Sequence, residues 1–586
     1  MGGTNTTMNQ ETKNCQSCHQ AFTIESEDFD FYKKIDVPAP TWCPECRMKR
    51  RMLFRNEFNM HKFQCGLCGI QGISHYSKSV KFPVYCNECW WSDKWDPLDY
   101  GLEYNSNKTF FSQWKELSDV MPRPSLEAYQ NENSPYSDFT WFSKNVYLSP
   151  STLNSDTVSY SKGAWSCRET LDSIVIMNSE SVYEAMDSER CVKCVFISDC
   201  KDCMNSSYLY DCRNSSDCFM SSNLRNGKFV FRNQQLAEEE YRKRLEAISS
   251  DYSTQRELRM EYVRMKEAAF HKYANIIKCV GSSGDNLVNC KNAKHSFNSA
   301  DCEDIKYCAQ ASHAKDSYDM YGVGDKECSL LYEGVNVGYL DSNIYFSLNT
   351  FESSARIQYC DYCRVSQDLF GCVGLRKKQY CILNKQYGKD EYLELRASIV
   401  EGMSNNPYVG LNGQVYPYGE FFPVELSPFA YNESLTQFYF PLHKDEALAF
   451  GCRWAEPEPR EYQSTKTSSD LPATIKEAND DILSEVIECE HRQGCIHNCT
   501  LAFKTTQQEF GFYRKMDLPI PRLCPGCRRG ERMDLHKPLR LWRRRCMCKK
   551  GHDHENAPCP SEFETSYAPD RPEIVYCEQC YNAEVA

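Results

Sequence analysis

The sequence predicts a mainly β chain, with small α+β modules at its two ends and a repetitive, β-solenoid-like region with capping helices between them. Three observations point that way. Cysteines come in close pairs within the first and last hundred residues. Cysteines of the middle fall at multiples of three positions. Two stretches recur at fixed offsets, one joining the ends and one joining the halves of the middle.

The 586 residues exceed one hydrophobic core, so several domains of about 100–200 residues each are expected. No run approaches the roughly 18–20 unbroken apolar residues of a membrane span. Residues Met1 to Glu11 are polar and lack an apolar export segment, so a cytoplasmic chain is expected. In a reducing compartment, the 35 cysteines read as metal ligands or buried thiols, not disulfides. A net charge of -13 gives no nucleic-acid signature to the whole chain, so charge is read module by module.

Four pairs open the chain: Cys15/Cys18, Cys43/Cys46, Cys65/Cys68 and Cys86/Cys89. Four close it: Cys495/Cys499, Cys524/Cys527, Cys546/Cys548 and Cys577/Cys580. The match extends beyond cysteine. Phe31-Tyr32-Lys33-Lys34-Ile35-Asp36 reads against Phe512-Tyr513-Arg514-Lys515-Met516-Asp517, and Cys43-Pro44-Glu45-Cys46-Arg47 against Cys524-Pro525-Gly526-Cys527-Arg528. From Cys18 to Cys65 the offset is a constant 481, so the ends are copies of one module.

Zinc accepts four thiolates tetrahedrally, and two residues between two cysteines let a tight turn aim both sulfurs at one ion. Backbone N–H groups of the knuckle then donate to the thiolates. Modules this small bury little apolar surface, so the metal supplies folding energy. These sixteen cysteines predict about four zinc ions per chain, with sequential and cross-braced pairing both open. A redox Cys-x-x-Cys is the competing reading, but such a motif is usually single.

Cys15 to Cys18, Phe22, Phe31-Tyr32, Pro40, then Cys43-Pro44-Glu45-Cys46-Arg47 and Arg50-Arg51 resemble a zinc-ribbon domain of the treble-clef kind found in bacterial proteins. Cys499, Phe503, Phe512-Tyr513, Pro521 and Cys524 to Arg528 repeat the pattern. The resemblance covers about forty residues at each end; it implies zinc binding and no reaction. The second copy departs from it. Cys495/Cys499 has one extra residue in its turn, and Cys546/Cys548 one fewer. An insertion holds His552, His554 and Cys559, which are candidate extra ligands, and Cys489 and His491 compete nearby.

In the middle, Cys191, Cys194, Cys200, Cys203, Cys212 and Cys218 are separated by multiples of three, as are Cys360, Cys363, Cys372 and Cys381. Short strands divided by Asx-type turns at a fixed interval predict a parallel β-solenoid whose inward positions carry small thiols. The alternative reading makes them metal ligands. At an offset of 151, Phe229 to Gln235 with Glu240-Tyr241 and Ile248 recurs as Tyr380 to Gln386 with Glu391-Tyr392 and Ile399. Each half is thus expected to end in a strand and a capping helix.

The expected order is a tandem zinc module over 1–100, a solenoid half over 101–235, a charged helical hairpin over 236–274 and a second half over 275–403. An aromatic irregular segment over 404–455, a linker over 456–485 and the duplicate zinc module over 486–586 follow.

Phosphate-cradling Gly-rich loops, His-Glu-x-x-His helices and nucleophile elbows do not occur. Four-thiol sets are closed, whereas catalytic zinc needs an open position. A non-enzymatic zinc scaffold is therefore expected. Its basic groups, Arg47, Arg50, Arg51 and Arg55 after one knuckle and Arg528, Arg529, Arg532, Arg543, Arg544 and Arg545 after the other, interleave with aromatics. They are candidates to contact nucleic acid or an acidic protein partner. Two other readings stay open: a zinc enzyme using the solenoid groove or the His/Cys insertion, and a cysteine-rich metal or redox reservoir.

Overall fold

The computed structural model describes residues 10–324, 326–456, 463–492, 497, 499–550 and 558–585. The chain is mainly β, and it divides into two compact units, each built from one end and one half of the middle. One unit comprises 1–125, 274–456 and 539–541; the other comprises 126–273, 457–538 and 542–586. The amino-terminal module therefore packs with the second half of the middle, and the carboxy-terminal module with the first half.

The first half forms a fourteen-stranded sheet from Ala128–Tyr129 to Gln234–Gln235. Its strands run parallel, except for the last hairpin, with each residue opposite the one twelve positions on. Tyr183 faces Val195, which faces Ser207, which faces Phe219. From Phe139 to Arg232 every third residue has a left-handed backbone, with φ between +46° and +69°. Left-handed φ costs most L-residues about 1–2 kcal/mol, and Asn and Asp tolerate it best. Asp187, Asp199, Asp202, Asn205, Asp211 and Asn214 occupy such corners. The Asn- and Asp-rich composition of this stretch follows from that need.

The residue after each corner points inward. Cys191, Cys194, Ile197, Cys200, Cys203, Leu209, Cys212 and Cys218 are all buried in one core, each a multiple of three from the next. The corners interrupt the ladder, and the inward side chain repairs it. Ser188 Oγ accepts the Cys200 N–H at 3.1 Å and donates to the Met186 carbonyl at 2.7 Å. Ser206 Oγ does the same for Cys218 N–H at 3.0 Å and the Met204 carbonyl at 2.7 Å. Cys360 Sγ serves Cys372 N–H at 3.2 Å. A small side chain that both donates and accepts is required there, and Ser and Cys meet that requirement.

The second half makes a three-stranded and an eight-stranded sheet with the same parallel register. Its repeat lengthens where Tyr318 faces Tyr332 and Leu331 faces Ile344. Each half closes with an antiparallel hairpin and a helix: Val230 faces Gln235 before Glu238–Glu246, and Cys381 faces Gln386 before Lys389–Asn405. Residues Tyr252–Ala268 form a second helix after the first half.

The aromatic stretch buries Phe421, Phe422 and Tyr431 in one core with Trp114, Tyr359 and Phe54 of its own unit. Residues 463–485, expected as a linker, instead carry short 3-10 turns and bury Leu471, Ile475 and Ile482.

Candidate metal centres and the buried arginines

Each terminal module is a hairpin, a helix, a knuckle leading into a second helix, and then a second hairpin with its own knuckle. At the amino-terminal end these are Glu11–Asn14 with Ala21–Ile24, Ser26–Lys34, Pro44–Met52, and His61–Gln64 with Gln71–Ser74. Cys43 caps the helix Pro44–Met52 and Pro44 occupies its first turn, where a missing N–H costs nothing. The knuckle turn thereby delivers Cys43 and Cys46 to the open end of the first hairpin.

Four groups of four cysteines result: Cys15, Cys18, Cys43 and Cys46; Cys65, Cys68, Cys86 and Cys89; Cys489, Cys499, Cys524 and Cys527; and Cys546, Cys559, Cys577 and Cys580. Within each, the sulfurs lie within 4.8 Å of one another. The pairing is sequential, because each hairpin turn meets the knuckle that follows it. Sulfur separations are 3.8 Å for Cys18–Cys43, 3.8 Å for Cys68–Cys86, 3.8 Å for Cys489–Cys527 and 3.9 Å for Cys559–Cys577. A tetrahedron with Zn–S bonds of about 2.3 Å has edges of about 3.8 Å, so the donor set fits zinc in size and chemistry.

The four groups share a backbone contact. The N–H of Cys43 donates to Cys15 Sγ at 3.2 Å, that of Cys86 to Cys65 Sγ at 3.3 Å, that of Cys524 to Cys489 Sγ at 3.2 Å and that of Cys577 to Cys546 Sγ at 3.3 Å. Such donors stabilise a thiolate. Burial raises the Cys65 thiol, but the N–H groups of Cys68, Cys86 and Leu67 outweigh it and bring it down to about 6. Burial likewise acts against Cys559, whose contacts with Ser561 outweigh it and lower the thiol to about 7.

In the carboxy-terminal copy one expected ligand is corrected and one lies outside the described residues. Among the described residues Cys489 completes the group with Cys499, Cys524 and Cys527; Cys495, the expected ligand, lies outside the described residues. Cys559 stands where Cys548 was expected; the Cys548 thiol turns instead toward the Lys550 carbonyl at 3.7 Å. Insertions explain both. Cys489 and Cys499 are separated by seven residues more than Cys15 and Cys18, and Cys546 and Cys559 by ten more than Cys65 and Cys68. His552 and His554 lie outside the described residues. Among the described residues, the cysteines of the parallel sheets belong to none of the four groups.

The arginines expected at a nucleic-acid surface are mostly interior. Arg47, Arg50 and Arg51 on the helix Pro44–Met52 are at most 1% exposed. Arg47 Nη2 lies 2.8 Å from Asp319, Arg50 Nη2 2.9 Å from Glu333 and Nη1 2.8 Å from Glu420, and Arg51 Nη1 2.8 Å from Glu333. Asp319 and Glu333 belong to the parallel sheet of the same unit. Arg55 is buried against Glu57 at 2.6 Å.

The other unit repeats the arrangement. Arg528 and Arg532, at the positions of Arg47 and Arg51 under the offset of 481, are buried on the helix Pro525–Asp534. Arg528 Nη1 lies 3.2 Å from Asp172, and Arg532 lies 3.0 Å from Asp172 and 2.8 Å from Glu184. Arg528 also donates to the Tyr513 hydroxyl at 2.8 Å. In both units two arginines of a knuckle helix meet an Asp and a Glu of the parallel-sheet region: Asp319 and Glu333 on neighbouring strands in one, Asp172 at a left-handed corner and Glu184 on a strand in the other. Groups so committed cannot reach a phosphate backbone. Arg529 and Arg544 are half-buried, and Arg544 donates to the Ala568 carbonyl at 3.2 Å. Arg543 and Arg545 are exposed and pair with Glu562 at 3.1 and 2.9 Å. The pattern missed the buried clamp because Asp172, Glu184, Asp319, Glu333 and Glu420 lie hundreds of positions from their arginines.

Among the described residues, no helix is long and apolar enough to cross a membrane. No protein-family model matches the chain, and no curated protein matches it. Among solved structures it is similar to a candidate acetyltransferase from Desulfovibrio desulfuricans G20, at 10% identity over 50% of this chain and 86% of that one, with a TM-score of 0.10. A likeness that small carries no functional argument.

Proposed function

We propose that the chain is a non-enzymatic zinc scaffold, in which structural zinc modules are clamped onto two β-solenoids. Each twelve-residue repeat is one coil with four left-handed corners, and the outer faces of the coils are the binding surface. The observation that carries this reading is the doubled arginine clamp. In both units the helix that leaves a cysteine knuckle spends its arginines on carboxylates of the parallel sheet. Zinc fixes the knuckle, the knuckle fixes the helix, and the helix fixes the module on the sheet. Four thiolates close the coordination sphere, which suits structure and leaves no position for substrate.

The donor sets are zinc-binding ribbons of the treble-clef kind in this reading, and each takes one Zn²⁺. Cobalt substitution tests it. Absorption of four tetrahedral four-sulfur sites, unchanged by azide or cyanate, supports the scaffold. A site whose spectrum shifts with such a ligand has an exchangeable position and supports a zinc enzyme instead.

The exposure of Arg543 and Arg545 favours a second, narrower reading, in which that strand alone contacts nucleic acid or an acidic partner. Binding to a duplex that weakens with salt and is lost in Arg543→Ala with Arg545→Ala supports it; binding that ignores both changes removes it.

A further inference from the structure

The middle cysteines are not scattered over the inward positions; four pairs stand directly above one another. We propose that Cys191 with Cys203, Cys200 with Cys212, Cys290 with Cys302, and Cys360 with Cys372 are sites of disulfide formation between neighbouring strands of the parallel sheets.

The register sets these partners. The residues immediately following each pair are bridged across adjacent parallel strands: Val192 with Met204, Lys201 with Arg213, Lys291 with Glu303 and Asp361 with Val373. Adjacent strands lie about 4.8 Å apart, inside the window of about 4.4–6.8 Å between Cα atoms that a disulfide spans. Both members point into the same core, and the thiols already touch. Cys191 contacts Cys203 as well as Cys194, Cys200 contacts Cys212 as well as Cys203, Cys290 contacts Cys302 as well as Cys279, and Cys360 contacts Cys372 as well as Cys363. The strand register selects the first-named partner of each. Cys290 has a second cysteine neighbour, Cys279 in the coil before it, where Val280 bridges Lys291. Three other inward cysteines face a different residue type one repeat away. Cys194 faces Ser206, Cys218 faces Val230 and Cys381 faces Leu369.

All eight thiols are free and buried. An oxidant reaches them only when a repeat opens, so the pairs are protected in the closed sheet. The co-reactant is a small disulfide of the glutathione class. A thiolate of the pair attacks it, releasing one small thiol. The second thiolate attacks the resulting mixed disulfide, releasing the other. Two protein thiols give up two protons and two electrons; one S–S bond forms and one breaks. Each product bond joins consecutive repeats within one unit, and the inward sulfurs keep their places. The proposal does not depend on the zinc reading, because none of these eight cysteines belongs to a four-thiol group.

The test uses the zinc-loaded full chain, incubated with glutathione disulfide in urea below the unfolding transition and then mapped by mass spectrometry of unreduced peptides. The expected result is four linked peptide pairs at a spacing of twelve residues, with zinc retained. Hydrogen exchange in the same urea establishes that the repeats open. The variant Cys203→Ser keeps a small donor at its inward position, as Ser206 does three residues on. In it Cys191 stays free while Cys200–Cys212 still forms. Links at a spacing of three, such as Cys191 with Cys194, would overturn the proposal. So would thiols that stay reduced while the repeats exchange, whether or not zinc is lost.

Discussion

Arg51 Nη1 donates to Glu333 Oε2 at 2.8 Å, with both side chains fully buried, and Arg532 repeats this contact with Glu184 at the same distance. The clamp is thus a property of the duplicated module and its sheet, not of one end of the chain. Truncating one partner of a buried pair leaves an uncompensated charge, which costs about 3–5 kcal/mol. Arg51→Ala and Arg532→Ala are expected to lower stability by that amount in denaturant unfolding. Arg543→Ala with Arg545→Ala removes only exposed pairs to Glu562, and a change within about 1 kcal/mol is expected. Equal losses in the two sets would contradict the clamp.

The fourth metal group distinguishes two cysteines one knuckle apart. Cys559→Ser is expected to lower the zinc content by one ion per chain, because Cys559 completes the group with Cys546, Cys577 and Cys580. Cys548→Ser is expected to leave it unchanged, since that thiol lies outside the four-sulfur group and donates to the Lys550 carbonyl. Elemental analysis of the two purified variants decides between them.

A buried carboxyl gives a pH signature. Asp341 is 1% exposed, and burial raises its carboxyl from 3.8 to about 7 despite the Ser354 N–H it accepts at 2.7 Å. The native state therefore keeps a proton that the unfolded chain releases between about pH 4 and 7. Stability contributed by this group falls as pH rises through that window and levels off above it. Asp341→Asn removes the dependence. Its stability relative to the parent is expected to rise by up to about 4 kcal/mol between pH 4 and 7, then stay constant. Acid release of zinc acts on both proteins and cancels in the difference. A difference flat with pH would contradict this assignment.

Two exposed arginines of the helix Glu238–Glu246 form i,i+4 pairs, Arg242 with Glu238 and Arg244 with Glu240. Replacing Arg242 by Gln is expected to change stability by less than about 0.5 kcal/mol, and less still in high salt. Thermal unfolding at two ionic strengths checks it.

Much of the molecule is legible in its cysteines, and the reason is geometric. A knuckle is local, so Cys43, Cys46, Cys65, Cys86 and Cys89 declare themselves by spacing. Cys489 and Cys559 do not, because insertions separate them from their turn partners. Both stand only as competing candidates; for Cys559 the sharper signal is the shift of the copy offset from 481 to 491, which carries Cys68 to Cys559 and Cys86 to Cys577. The multiples of three in the middle mirror the inward positions of the repeat. The corners between them were hidden, since Phe196, Tyr208 and Phe229 take the left-handed backbone alongside Asn and Asp. The arginines misled because a basic, aromatic-flanked helix looks the same whether it faces water or carboxylates. Arg51 finds Glu333 at a separation of 282 residues, and Arg532 finds Glu184 at 348. No local pattern encodes such a pairing.

The measurement that bears most directly on the zinc scaffold is bound metal per chain, by elemental analysis of reductively purified protein with a parallel count of free thiols. Four zinc ions per chain, with the thiols of the parallel sheets free, is the predicted result. No zinc, or eight or more ions with the sheet thiols engaged, would contradict it.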